Sequence, residues 1–422
     1  MTALPDGWRL TPLGAIADTA LGKMLDKGKS RGLPRVPYLR NVNVQWGRID
    51  THDLREMELG DDERERFGVR RGDLLVCEGG EVGRAAIWDR DTEFVAYQKA
   101  LHRVRPHEGV DARYLRYALE NAARSGVFAP FTTGSTIAHL PQQNLRRVPL
   151  AVAPWREQRR IVEILEDHIS RLDAGGAYLR ASLLRCSRLI ESWLHHSLDS
   201  GPAANRRLGD VIAESRGGWS RSRSHLVGPG EGTPYLKMNN IARNGDLVLD
   251  DVVHVVATHG DLDKYAIRPG DVLFNSKNSG DLIGKASVAD ERVSGWVFNE
   301  NIMRLRFGPD VDPMYAALWL LGPQARQQIT RSASASTNVA AVYFQALREF
   351  EMWVPDLEVQ RSLVAEYRER RVVADRLAHE LNAQLRRSVS MRRSLLAAAF
   401  SGRLTGASSD VDRIEELAEV GV

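Results

Sequence analysis

The sequence predicts an α+β protein: two tandem α/β globules separated by two long helices that pair as an antiparallel coiled coil, with pseudo-two-fold symmetry. Three observations predict it. The chain matches itself at a shift of about half its length. Each half opens with short strand-like runs punctuated by glycine and proline, and each half closes with a long helical stripe.

The repeat rests on five anchors in constant order. Pro37-Tyr38-Leu39-Arg40 returns as Pro234-Tyr235-Leu236-Lys237, with Asn41 and Asn43 echoed by Asn239 and Asn240. Arg71-Gly72-Asp73-Leu74-Leu75 returns as Pro269-Gly270-Asp271-Val272-Leu273, and Gly83-Arg84-Ala85 as Gly284-Lys285-Ala286. Asp111 and Tyr114 fall opposite Asp312 and Tyr315, and Gly134-Ser135-Thr136 opposite Ala335-Ser336-Thr337. The offset drifts only from 197 to 201, a domain-sized period that means duplicated domains and not a solenoid of short repeats.

In each globule the runs Val69 to Glu78, Ala85 to Trp88, Val252 to Ala257 and Asp271 to Phe274 read as strands. Ala112 to Ala123 and Pro313 to Leu321 read as interleaved helices. After each globule comes a long stripe. From Trp155 to about Leu198, Ile161, Leu165, Ile169 and Leu172 recur at steps of three to four, and Leu179, Leu183, Ile190 and Leu194 resume the pattern. From Leu357 to about Phe400 the stripe is Leu363, Val373, Leu377, Leu381, Leu385, Val389 and Leu396. At ~1.5 Å per residue, about 40 residues make an arm about 60 Å long. Gly175-Gly176 interrupts the first stripe, marking either a break or a close approach of two helices, since a helical glycine costs about 1 kcal/mol. The expected order is globule 1–154, helix 155–200, globule 201–355, helix 356–405 and tail 406–422. Paired arms would place the globules at opposite ends of a rod.

Composition narrows the function. The 422 residues are 43% hydrophobic and 27% charged, and 58 Lys and Arg against 55 Asp and Glu leave +3. That balance excludes a protein that coats nucleic acid indiscriminately, so an anionic partner must be held by local patches. Two cysteines, Cys77 and Cys186, build neither a disulfide framework nor a four-thiolate zinc site and suit a reducing cytoplasm. No apolar run approaches the roughly 18 residues of a membrane span, and Asp6 and Arg9 stand where a signal core would be. The expected location is cytoplasmic.

Two related heads at fixed spacing suit a partner presenting two sites at fixed spacing, and duplex DNA is the commonest. The first head carries Lys23, Lys27, Lys29, Arg31 and Arg35 within thirteen residues. The second carries Arg216, Trp219, Arg221 and Arg223 at the equivalent place. Basic side chains on small-residue loops can track a phosphate backbone. The candidate DNA-binding residues are Lys23, Lys27, Lys29 and Arg31 for phosphate, with Arg40, Asn41, Asn43, Ser135 and Thr136 as polar readers. In the second head they are Arg216, Trp219, Arg221, Arg223, Lys237, Asn239, Asn240, Lys277, Asn278, Ser336 and Thr337. Heads reading different sequences should differ where they read, which favours Lys277 and Asn278 over the shared asparagines.

Catalytic chemistry is not expected. There is no Asn/Asp-Pro-Pro-Tyr/Phe stretch for amino methylation, no glycine-bearing cofactor loop after a strand, and no Gly-x-x-x-x-Gly-Lys-Ser/Thr loop. Asp271 to Lys277 could be stretched into a nuclease site, but Asp271 matches Asp73 in a Gly-Asp turn. His195-His196 faces two ways on a helix, and His102 and His139 are isolated, so no metal site is expected.

Pro154-Trp155-Arg156-Glu157-Gln158-Arg159-Arg160-Ile161-Val162, with Leu165 and Leu172-Asp173, resembles the start of the long helix in specificity subunits of type I restriction-modification systems. Arg393-Ser394-Leu395-Leu396-Ala397-Ala398-Ala399-Phe400-Ser401-Gly402-Arg403-Leu404-Thr405, the opening Leu4-Pro5-Asp6-Gly7-Trp8 and the repeat order also look like that family. The resemblance implies a non-catalytic subunit with two target-recognition domains, each reading one half of a bipartite, asymmetric DNA target. It implies helices that set the spacer and dock two methyltransferase subunits, restriction subunits as further partners, no cofactor in this chain, and S-adenosylmethionine in the methyltransferases. The docking residues would be Glu157, Gln158 and Ile161 on the first helix and Glu358, Gln360 and Leu363 on the second. There the motif reads Pro355-Asp356-Leu357-Glu358-Val359-Gln360, and an extra residue would turn the later side chains of that helix by ~100°. The competing reading is a coiled-coil adaptor whose heads bind protein or another ligand.

Overall fold

The computed structural model describes residues 4–25, 32–91, 94–134, 138–198, 205–228, 230–336 and 339–405, with the side chains of 223, 334–336 and 339 excepted. The chain divides into two units, Met1–Arg180 with Asn382–Val422, and Ala181–Leu381.

The first unit is built on a four-stranded antiparallel sheet in the order Ala17–Leu21, Leu101–Pro106, Leu74–Cys77, Ala85–Ile87. Leu74–Cys77 is buried along its whole length, as an apolar run in a sheet interior should be. Asp73 enters it through a turn: one carboxylate oxygen accepts the Arg70 backbone N–H at 2.8 Å, while both bind Arg105 at 2.7 and 2.9 Å. A smaller sheet joins Arg55–Glu58, Arg35–Leu39 and Ala96–Tyr97. The helix Ala112–Arg124 is capped by Asp111, which accepts from the Arg113 and Tyr114 backbones.

The second unit repeats the plan: Ile212–Gly217, Ile302–Phe307, Val272–Asn275, Ala286–Val288 in the same spatial order. Asp271 takes the Arg268 N–H at 2.8 Å and binds Arg306 at 2.6 and 3.2 Å, so this aspartate is a turn and sheet residue like Asp73. Asp312 caps Pro313–Leu321 as Asp111 caps its counterpart. Gly83 and Gly284 both sit at positive φ, +81° and +86°, where a Cβ would lie 2.1 Å from Phe128 and 2.5 Å from Ile329. Only glycine satisfies both the turn and the close approach.

The long helices span Trp155–Ser197 and Leu357–Phe400. In the first unit Ile161, Val162, Leu165 and Ile169 share a core with Leu395, Leu396, Ala399 and Phe400 and with Tyr114 and Leu119 of the head. The Thr405 hydroxyl donates to Glu157, and Arg392 reaches Asp173 at 2.6 Å. Advance along one helix thus meets retreat along the other, so the pairing is antiparallel. In the second unit the Trp193 indole donates to Glu366 at 2.8 Å, and Leu194, Val364 and Tyr367 join that head's core.

Two expectations about the helices are corrected. The first helix runs unbroken through Gly175-Gly176. A Cβ on Gly175 would meet nothing within 4 Å, and one on Gly176 only the Arg180 guanidinium, at 3.5 Å, so neither a break nor a close helix approach explains them. On the second helix Val373, Leu377 and Val389 are exposed. Between Tyr367 and Leu395 no residue of that helix is buried, and Ala374, Ala378, Leu381 and Leu385 are half-buried, so burial is confined to the two ends that pack on the heads.

Candidate nucleic-acid interface

The basic loops are tied down where they leave the sheet. In the first unit the Lys23 ammonium ion-pairs with Glu63 of the short helix Asp61–Phe67 and lies 5.9 Å from the Phe67 ring. In the second unit Trp219 stacks on Tyr265 at 5.5 Å and 8° between planes. The Arg221 guanidinium covers Trp219 at 3.4 Å and pairs with Asp261 at 3.4 Å. Asp261 lies on the matching helix His259–Tyr265, and hydrogen bonds from Thr258 hold its carboxyl below the usual range. Lys23, Trp219 and Arg221 therefore pin the loop bases, and their charges and rings are engaged within the head. Arg216 remains exposed on its strand.

The shared asparagines are also structural. Asn43 is 3% exposed; its amide oxygen takes the Arg40 N–H at 2.8 Å and its nitrogen donates to the Asp50 and Asp53 carbonyls at 3.0 and 3.3 Å. Asn240 does the same with Lys237, Val248 and Asp251, at 2.8, 2.8 and 3.1 Å. Both are removed as base readers because their donors and acceptors are consumed inside a buried loop. Their equivalence also corrects the repeat by one residue: Asn41 stands opposite Met238, and the exposed Asn239 opposite Val42, which is 61% exposed. Arg40 holds the same loop through Asp53, 2.8 Å to its carbonyl and 2.5 Å to its carboxylate. Lys237 is half-buried at the start of the turn.

The heads diverge at one rim. In the second unit Lys277–Asn278 forms a strand beside Val339–Ala341, which pairs in turn with Ser334–Ser336. Asn278 donates to the fully buried Asn275 at 2.9 Å and accepts from the Ser279 backbone at 2.9 Å, which fixes its orientation. In the first unit the same place holds only the bridges Gly79 to His139 and Thr133 to His139 among the described residues. Asn41 donates to the Gly79 carbonyl at 2.7 Å. An open groove of about 640 Å³ lies here, lined among others by Met24, Leu25, Asn41, Glu78, Lys99 and His139. Sequence reasoning did not single out Glu78 or Lys99; their mismatch with Ser276 and Glu300 was the available signal. Arg223 and Ser336 are described in backbone only, in a short helical turn and a strand. Lys27, Lys29, Arg31, Ser135, Thr136 and Thr337 lie outside the described residues.

The expected docking residues are largely turned inward. Gln158, 1% exposed, accepts the Asp111 N–H at 2.9 Å and donates to the Ala153 and Gly109 carbonyls at 2.8 and 3.2 Å. Gln360, fully buried, repeats this with Asp312, Pro355 and Asp310, at 2.8, 2.7 and 2.8 Å. Both are the fourth residue of their helix, so the extra-residue offset does not exist: the helices are in phase, and only the proline and glutamate positions differ. Ile161 is buried in the core, Leu363 is half-buried against its own unit's core, and Glu157 is held by Thr405. Glu358 is exposed.

A buried ionic cluster ties the first head to its helix end. Glu120 is fully buried, within 3.2 Å of Arg116, 2.9 Å of Arg124 and 2.8 Å of Arg392. Burial opposes its charge, but the three guanidiniums prevail and hold the carboxyl below its ordinary range. Among the described residues no group of three His, Cys, Asp or Glu is placed to hold a metal ion, and no helix is long and apolar enough to cross a membrane.

A duplicated α+β head pinned through a buried glutamine to a long helix defines a two-headed scaffold whose heads differ at their rims. Residues 5–175 match the family model of the type I restriction modification DNA specificity domain. Over nearly its whole length the chain is similar to the type I restriction enzyme EcoKI specificity subunit of Escherichia coli K12, at 20% identity, 95% of this chain and 90% of that one. It is likewise similar to the StySPI specificity subunit of Salmonella potsdam, at 21% identity, 95% and 90%. A solved chain from work on complex assembly and conformational transition of the type I R-M system shares the fold, with TM-score 0.75, 19% identity, and 96% and 100% coverage.

Proposed function

We propose that this chain is the non-catalytic DNA sequence-specificity subunit of a type I restriction-modification complex. Each head reads one half of a bipartite, asymmetric target, and the paired helices set the spacer. The observation that carries this reading is the pattern of sameness and difference. The two heads keep the same capped helices, asparagine staples and glutamine pins, and diverge where Lys277-Asn278 stand against Gly79-Gly80. A scaffold kept constant around one variable rim is what two readers of different sequences need.

Two methyltransferase subunits carrying S-adenosylmethionine, and restriction subunits beside them, complete the assembly in the cytoplasm. Exposed Arg216 and Asn239, with half-buried Lys277 and Asn278, remain the reading and phosphate candidates of the second head, and exposed Glu358 the docking candidate. The test is retention of bipartite duplexes against scrambled competitors by the chain mixed with its methyltransferase subunits, over a salt series. Selective, salt-sensitive retention supports the reading. Equal retention of scrambled duplexes supports an adaptor whose heads bind something else.

A further inference from the structure

The groove of the first head holds an acidic side chain where a phosphate-binding surface gains nothing from one. Glu78 lines it and is half-buried, and its carboxylate makes no hydrogen bond or ion pair with any described residue. Its backbone is fixed at both ends: the Glu78 N–H donates to the Ala100 carbonyl at 3.0 Å, and the Leu140 N–H to the Glu78 carbonyl at 2.7 Å. Ala100, also lining the groove, sits at φ +92°, the one non-glycine residue at positive φ among those described. Such strain persists where the surroundings over-determine a conformation, as at binding sites. In the second head the same stretch reads Ser276-Lys277: Ser276 is 4% exposed with its hydroxyl turned to the Asn301 carbonyl at 3.3 Å, leaving a cation, Lys277, at the rim.

An ionised carboxylate only accepts hydrogen bonds. In the major groove cytosine offers its N4 amino group and adenine its N6 amino group, whereas guanine O6 and N7 and thymine O4 are acceptors that a carboxylate repels. We propose that Glu78 is a specificity-determining residue of the first head, accepting from the exocyclic amino group of a cytosine or adenine and rejecting guanine and thymine at that position. The inference rests on the DNA-specificity reading above and adds the polarity of one base.

The experiment selects duplexes with the reconstituted complex, first half-site randomised and second held constant, for the wild type, Glu78→Gln and Glu78→Asp. The wild type selects an amino-bearing base at one position of the first half. Glu78→Gln, which can also donate, lowers discrimination against guanine or thymine there by about fivefold or more, and Glu78→Asp retains the amino preference. An unchanged half-site in Glu78→Gln overturns the proposal. Uniform relaxation of every position in that half also overturns it, because it marks a scaffold residue. A wild type that selects no bipartite sequence defeats the broader reading instead.

Discussion

Gln158 and Gln360 make matching sets of three hydrogen bonds, each accepting from the aspartate N–H that opens the head's helix and donating to two carbonyls, one of them five residues back. The amide is the joint between head and long helix. Gln158→Leu strands an N–H and two carbonyls in a buried place, at about 1–3 kcal/mol for a group left unsatisfied. Denaturant melts of the first unit should show a loss of about 3 kcal/mol. Glu358→Ala, at an exposed position, should fall within about 0.5 kcal/mol of wild type.

Arg216 and Arg221 are close in sequence and differ in role. Arg221 is spent on Trp219 and Asp261, so Arg221→Ala should lower the melting temperature and leave the salt dependence of DNA binding unchanged. Arg216→Ala should leave melting unchanged and reduce the log–log salt slope by about 0.9, the loss of one phosphate contact. A titration of duplex binding between low and moderate salt separates the two.

Glu120 sets the acid limit of the first unit. Its folded pKa is depressed by its arginines despite burial. Its contribution is therefore present above the unfolded value of about 4.3 and is lost as pH falls through the folded value. Glu120→Gln should cost about 3 kcal/mol or more at neutral pH, because three guanidiniums lose their common partner. It should also flatten the acid limb of the stability profile, read by urea melts from neutral pH downward.

Cys77 is fully buried, and burial pushes its thiol up to about 11. A thiolate-selective reagent at neutral pH should leave Cys77 unmodified in the folded chain and modify it after unfolding, as peptide mass mapping would read.

Much of the fold was legible in the residues. Trp155 and Leu357 start the long helices as expected, and Pro313–Leu321 has the expected ends, because capping aspartates and sustained stripes are local signals. The site was less legible. Asn43 and Asn240 are repeated polar residues, and repetition cannot distinguish a loop staple from a reader; only their buried bonding does. Pairing Asn41 with Asn239 failed by one residue because a short motif tolerates a slip that a hydrogen-bonded turn does not. Glu78 escaped notice because a lone acidic residue carries no pattern, and its meaning comes from residues near 24, 99 and 139 that only folding gathers.

The most direct test of the central claim is the modified-base map of DNA exposed to the assembled complex, before and after residues 201–355 are exchanged for the second head of another such subunit. The account predicts a bipartite motif in which one half changes and the other half and the gap stay fixed. A map in which both halves change, or no bipartite motif at all, would contradict it.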